Sequence, residues 1–191
     1  MALKSHLPSN YIKDFYPDTD RVIEAILYLM KKGKYLSQYQ IVKAIFLADR
    51  KHLNEFGRPV TFDNYSALKQ GPVPTLTYDL LKPAFDFGRI FEGETRPWTS
   101  TKERTYFRFT ALRDPHPDVL SQTDIAALDY GLETVRKLSR TELEKKLHDD
   151  PAYREAWNRR GNLQSVDIKT YKLLDNENED LIENLAYATR H

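Results

Sequence analysis

Residues 37–57, SQYQIVKAIFLADRKHLNEFG, decide how the rest of the chain is read. The first four residues have the form of a capping box, in which Ser37 caps a helix and Gln40 reaches back to the cap. Apolar side chains then recur at helical spacing, and Gly57 is a residue type that ends helices. The stretch therefore predicts a long helix between Ser37 and Gly57.

Shorter elements are predicted on either side of this helix. Pro83 lies inside the third predicted helix and should kink or split it, because proline removes a backbone donor. The first half of the chain is predicted to begin with an arm over residues 1–19, a buried helix from Arg21 to Gly33 and the long helix. An extended stretch to Lys69, a rigid turn at 70–74 and a third helix over 75–87 follow. A strand at 89–94, a hairpin loop at 95–103 and a strand at 104–110 complete it.

The second half is predicted to be helical. Its helix starts are marked by Ser121, by the capping box Ser139–Glu142, by Asp150-Pro151 and, in the last helix, by Asn176 and Glu179. The predicted fold is mainly α with a small β-hairpin (α+β), with a winged-helix-like order in the first half. Its predicted parts are the arm over 1–19, a domain over 20–160, and a C-terminal helical extension over 161–191 packed on the same domain.

Composition excludes several classes of protein. The 191 residues include no cysteine, which excludes a disulfide scaffold, a thiolate zinc site and a cysteine nucleophile. No apolar run reaches the roughly 18 residues of a membrane span, and the first ten residues lack an apolar signal core. These features predict a cytoplasmic protein with no membrane partner. The net charge of +1 hides an uneven distribution, because residues 21–60 are basic and residues 114–191 are acidic.

The winged-helix order raises the possibility of DNA binding. A DNA reader needs cations on its third helix, yet Asp79, Lys82 and Asp86 leave this one acidic. The expected wing is more suitable, because it combines basic side chains with an aromatic one. DNA binding, for example as an autoregulator of its own operon, therefore ranks second among the predicted functions.

Catalytic patterns are weak. Asp49 and His52 share a helix face, but no further metal ligands can be placed beside them. His148-Asp149-Asp150 is typical of a helix end followed by a capping residue. No nucleophile elbow, Walker loop or dinucleotide-binding glycine motif occurs. The sequence predicts no enzyme activity, no cofactor and no metal.

Several segments together resemble one family. They are Ile45–Leu53, Phe56–Val60, Ala67–Pro74 and Tyr78–Leu81. In this order and spacing they resemble the Panacea domain of SocA-like antitoxins, also described as phage-associated and GepA-like, over roughly residues 20–160. Gln70 departs from the pattern, since an aromatic residue is common at that place.

The resemblance implies an antitoxin of a bacterial or phage type II toxin–antitoxin system. Such a protein neutralises a co-encoded toxin by direct binding, and the founding member also delivers its toxin to a cellular protease. The candidate toxin-binding residues are Gly71, Pro72, Val73, Pro74, Tyr78, Arg96, Trp98, Lys102 and Arg104. Two alternatives stay open, because the 71–74 turn could simply redirect the chain and Trp98 could fold back over the strands.

Overall fold

The computed structural model describes residues 14–175 and positions 180, 181, 183 and 184. Most of the predicted arm and most of the last helix lie outside the described residues. The helices are α1 (Thr19–Gly33), α2 (Gln38–Phe56), α3 (Thr75–Leu80), α4 (Phe87–Ile90), α5 (Gln122–Lys137), α6 (Arg140–His148) and α7 (Pro151–Arg159), followed by a 3-10 turn at Thr170–Leu173. The strands are β1 (Leu36–Ser37), β2 (Tyr65–Leu68), β3 (Gly71–Pro74), β4 (Trp98–Glu103), β5 (Tyr106–Ala111) and β6 (Ser165–Ile168).

The helix starts marked by Ser37, Ser121, Ser139 and Asp150 are confirmed, and the one marked by Asn176 lies outside the described residues. Ser37, Ser121 and Ser139 each cap a helix and close a complete capping box. Asp150 caps α7 ahead of Pro151, and Gly57 ends α2 in the left-handed conformation. Local side-chain chemistry therefore fixes these helix ends, as the sequence predicted.

Helices α2 and α5 form the centre of the molecule. Their backbones meet at Gly131, where a Cβ atom would lie 2.1 Å from the carbonyl oxygen of Ala44. Only glycine allows this approach, and the apolar faces of both helices are buried around it. No helix in the described part of the chain is long and apolar enough to cross a membrane.

Two small antiparallel sheets flank this helical centre. One has the strand order β1-β5-β4, and the other has the order β3-β2-β6. A two-residue turn joins β2 to β3, since Leu68 pairs with Gly71. A second two-residue turn at Arg104 and Thr105 joins β4 to β5, since Glu103 pairs with Tyr106. The mainly α, α+β class is thus confirmed.

The predicted hairpin was placed wrongly. Residues 89–94 form the end of α4 and a turn, where Asp86 caps α4 and the chain reverses at Gly93. The segment predicted as the loop 95–103 contains strand β4, whose residues pair with β5 throughout. Strand β5 itself confirms the strand predicted at 104–110 within two residues. The sequence concealed β4, because Trp98 is its one buried residue and polar residues fill its other five positions.

Four other expectations also differ from the structure. Gly71–Pro74 is not a turn but the buried strand β3, and the turn lies one step earlier, at Lys69 and Gln70. The third helix keeps only residues 75–80 of its predicted length, ending before Pro83. The winged-helix order is not confirmed, because β1, β2 and β3 interrupt the expected succession of helices. Residues 165–168 form strand β6 on β2, where a helical extension was expected.

Candidate protein-binding groove

Two adjoining cavities form one groove on the molecule. The larger has a volume of about 710 Å³ and the smaller about 250 Å³, and both are lined by Gln38, Tyr39 and Gln70. The start of α2 forms the floor of the groove, the β2–β3 turn and the β4–β5 hairpin form two walls, and the start of α6 forms a third. The sequence builds this place with the Ser37 capping box, which begins α2 directly beside β5.

The groove is electropositive. The described residues that line it include Lys43, Lys69, Arg108 and Arg140 and no aspartate or glutamate. Arg108 and Arg140 pair with the neighbouring carboxylates Glu103 and Glu144. The two lysines form no ion pair with any carboxylate of the described residues. Aromatic rings accompany the cations, since Tyr39 lies below Arg140 with its ring centroid 4.8 Å from the guanidinium carbon.

Lys43 occupies the inner end of the groove. Its side chain leaves α2 among apolar neighbours and is only 1% exposed. The ammonium nitrogen donates to the carbonyl oxygen of Pro72 at 2.8 Å. Burial lowers the pKa of Lys43 to about 7, although the charge of Glu144 acts in the opposite direction. A buried lysine that is half neutral near pH 7 is uncommon in a protein interior.

Two polar atoms near Lys43 are also buried. The hydroxyl of Tyr39 and Nε2 of His148 have no hydrogen-bond partner among the described residues. The Tyr39 ring centroid lies 5.5 Å from the Lys43 ammonium, and burial raises the pKa of the Tyr39 hydroxyl. His148 stacks on Tyr153, at a centroid distance of 4.9 Å. Unpartnered buried polar atoms are rare in folded proteins, and two of them lie in the residues around Lys43.

A second set of exposed residues borders the groove on the β4–β5 hairpin. The guanidinium carbon of Arg108 lies 5.7 Å from the ring centroid of Tyr35 and 5.1 Å from that of Tyr106. Both tyrosines are exposed. Lys102 and Arg104 extend beyond them on the hairpin and form no ion pair with any described residue. We call these five residues the hairpin face.

The backbone of this region is unusual. Five described residues other than glycine have a φ in the left-handed region, and three of them, Lys34, Tyr35 and Arg104, lie on or beside the hairpin face. The left-handed conformation costs about 1 kcal/mol for an L-residue. Such strain tends to collect where a surface has a function beyond folding.

The structure separates the candidate residues of the sequence analysis. Lys102 and Arg104 are exposed on the hairpin face, and Tyr78 lines the smaller cavity. Gly71, Pro72, Val73 and Pro74 are buried in β3. Gly71 has a φ of +98°, and a Cβ there would lie 3.3 Å from the Lys43 ammonium. The segment thus positions Lys43 and does not present an exposed turn.

Two further candidates serve the fold. Trp98 is 2% exposed and packs edge-to-face on Phe87, so it folds back over the strands, as the alternative interpretation had it. Arg96 donates to the carbonyl oxygens of Lys82 and Phe85 and so closes the segment after α3. Neither side chain lines the groove.

Asp49 and His52 have separate structural partners. The Asp49 carboxylate is buried and accepts hydrogen bonds from Thr61 and Tyr65, and burial raises its pKa. His52 lies between the carbonyl of Arg58 and the hydroxyl of Thr123, at 2.7 and 3.1 Å. Among the described residues, no three His, Cys, Asp or Glu side chains come together in a group able to hold a metal ion.

A second buried carboxylate holds α3 in place. Asp63 accepts from the backbone nitrogens of Leu76 and Thr77 at 3.0 and 2.7 Å, which are free amides at the start of that helix. Burial raises the pKa of Asp63 to about 6 against these hydrogen bonds, and the charge of Asp49 adds to the rise. Asp49 and Asp63 thus hold the β2–β3 region in place through buried hydrogen bonds.

Fold and groove together describe a small α+β domain with a cationic, tyrosine-rich face. A family model for the antitoxin SocA-like Panacea domain matches residues 41–154. Since that match covers more than half of the chain, the protein belongs to the SocA-like Panacea family, and this membership suggests an antitoxin role. No curated protein and no solved structure matches the chain.

Sequence reasoning missed Lys43, Tyr39 and Tyr35. One signal was present for Lys43, since it is the single charged residue in the run from Ile41 to Ala48, where a buried helix face was already expected. The sequence alone does not distinguish it from a lysine on the surface. Tyr39 lies within the capping-box sequence, which predicts a helix start and no binding role. No feature of the sequence predicts a binding role for Tyr35.

Proposed function

We propose that this protein is an antitoxin that neutralises a co-encoded toxin by direct protein–protein binding, and that the groove and the hairpin face form the binding surface. The single observation that carries the proposal is this surface, which concentrates exposed tyrosine, arginine and lysine side chains around a concave site. Tyrosine and arginine are enriched at the energetic centres of interfaces. Family membership supplies the partner class.

The backbone of the hairpin supports the same surface. Arg104 occupies a two-residue turn in a conformation that glycine would adopt with less strain. A chain that keeps arginine there gives up about 1 kcal/mol of stability. A binding role for the arginine side chain accounts for that cost.

Co-expression of this protein with the product of the adjacent gene tests the proposal. The adjacent gene alone should stop growth, and the wild-type protein should restore it. The proposal fails if the adjacent gene is harmless alone, or if it stays toxic beside the wild-type protein.

A pair of variants then tests the surface itself. The double variant Lys102→Glu with Arg104→Gly should lose at least about 10-fold in affinity for the toxin, because rim charges steer association and the arginine contact is gone. This double variant should fold as well as the wild type, since glycine adopts the left-handed conformation of position 104 with less strain. The matched control is Lys145→Glu with Arg154→Gly, on exposed positions of α6 and α7 outside the groove. Equal affinity of both double variants would refute this surface.

DNA binding is the second candidate, favoured by the cations of the hairpin face alone. Helix α3 argues against it, because it has six residues and carries Asp79. Binding to the protein's own upstream DNA at near-physiological salt would support this candidate, whereas weak binding without sequence preference would exclude it. Delivery of the toxin to a protease stays a prediction from the family, and the half-life of the toxin with and without this protein tests it.

A further inference from the structure

The ammonium of Lys43 forms no ion pair with a carboxylate in the described part of the chain. It is almost fully buried, and Pro72 supplies the one acceptor within hydrogen-bond distance among the described residues. An ammonium group has three protons to donate, so two remain for another partner. A buried charge is strongly unfavourable unless it is paired and hydrogen-bonded. An apolar residue would satisfy the fold better at this place, and the lysine therefore points to a ligand.

The surroundings of Lys43 fit one class of ligand. The smaller cavity is lined by Lys43, Lys69 and the ring of Tyr39, and none of the described residues that line it is a carboxylate. The Tyr39 hydroxyl is a buried donor with no acceptor among the described residues. A carboxylate can accept from an ammonium and a phenol at once, and among the protein acceptors it alone also neutralises the positive charge.

The size of the cavity fits a single side chain. Its volume of about 250 Å³ exceeds the roughly 30 Å³ that one water occupies in the liquid. It is continuous with the larger cavity through Gln38, Tyr39 and Gln70, which line both. A peptide segment laid along the larger cavity can thus direct one acidic side chain inward.

We propose that the toxin inserts an aspartate or glutamate side chain into the smaller cavity, where its carboxylate pairs with the ammonium of Lys43 and accepts from the hydroxyl of Tyr39. This inference rests on the proposed function and names the contact that anchors the toxin. Lys69 and Arg140 at the rim attract an acidic segment, and Lys43 selects the one residue that enters. The hairpin face contributes contacts outside this cavity.

Affinity measurements with the purified product of the adjacent gene test the anchor. Lys43→Met keeps an unbranched apolar side chain that is one atom shorter and removes its charge, and it should weaken binding at least about 10-fold. Gln70→Glu places a carboxylate at the cavity from within the chain, so it should also weaken binding. The matched control Lys51→Met removes a half-exposed lysine from another part of α2 and should bind as the wild type does.

A double-mutant cycle identifies the partner carboxylate. Each aspartate and glutamate of the toxin is changed to its amide, and one change should cost nothing further when combined with Lys43→Met. In the wild-type complex, the pKa of Lys43, followed by the NMR shift of its ε-carbon, should rise from about 7 to about 8 or higher, because an opposite charge favours the ammonium.

The outcomes separate the two proposals. If the wild-type protein does not bind the adjacent gene product, the proposed function fails and the anchor with it. If the wild type binds, and folded Lys43→Met binds equally well or no toxin carboxylate couples to it, the anchor is wrong while the proposed function stands. Coupling to one carboxylate with a raised pKa of Lys43 establishes the anchor.

Discussion

The replacement Lys43→Met should stabilise the free protein, and it should do so most at low pH. Burial lowers the pKa of the ammonium from 10.5 to about 7. At about 1.4 kcal/mol per pH unit, a charged Lys43 costs the folded state about 5 kcal/mol below pH 7. The variant leaves the carbonyl of Pro72 without its donor, at a cost of about 1–3 kcal/mol. The expected net gain at pH 6 is therefore about 2–4 kcal/mol.

The sign of the pH dependence follows from which state holds the proton. Between pH 7 and 10.5 the unfolded chain keeps the Lys43 proton and the folded chain releases it, so wild-type stability rises with pH. The advantage of Lys43→Met should thus shrink by about 2–3 kcal/mol between pH 6 and pH 9. Other titrating groups do not contribute to this change, because the wild type and the variant share them.

Urea denaturation at pH 6, 7, 8 and 9 measures this difference. Lys51→Met is the control, since it removes a half-exposed lysine of the same helix that pairs with Glu55. A difference for Lys43→Met that is constant from pH 6 to pH 9 would refute the reasoning. A variant that is less stable than the wild type at pH 6 would refute it as well.

Three more substitutions test other parts of the structure. Gly131→Ala should destabilise the fold by about 1–3 kcal/mol or more by thermal melting, because its Cβ would strike the backbone of Ala44, whereas Gly88→Ala should be mild. Trp98→Ala should cost about 3–5 kcal/mol of stability, yet leave the toxin affinity of the folded fraction unchanged. Asp124→Asn should lower the free energy of unfolding by about 2 kcal/mol at pH 7, because arginine pairing and capping hold the pKa of Asp124 at about 2. In denaturant titrations this effect should fade between pH 4 and pH 2. An unchanged melting temperature for either of the first two, or an Asp124→Asn effect independent of pH, would contradict these assignments.

What the sequence could predict was local. The ends of α2, α5, α6 and α7 depend on a serine or aspartate and on residues within one turn of it, so their signals are complete in a short window. The strands depend on partners far along the chain. Ser165–Ile168 is a strand because β2 offers it an edge, and nothing within those four residues signals this.

The same difference explains why the groove was only partly foreseen. The exposed cations Lys102 and Arg104 could be predicted because their charge alone, without knowledge of the fold, suggests a binding surface. Gly71–Pro74 was noticed for its prolines and given the wrong role, because a turn is the common use of such a segment and a buried strand the rare one. Proline is tolerated in β3 because this strand lies at the edge of its sheet, beside β2 alone.

The family signature and the buried lysine are parts of one arrangement. Gly71 lets β3 pass close to α2, and the neighbouring Pro72 offers its carbonyl to Lys43 without a side chain of its own that could pair the charge. A carboxylate at this place would stabilise the fold and would also occupy the site. The Gly-Pro segment instead holds the ammonium in position while leaving two of its protons to a partner. A motif that looks structural by its burial can therefore be required for recognition, since it keeps the cation both buried and available.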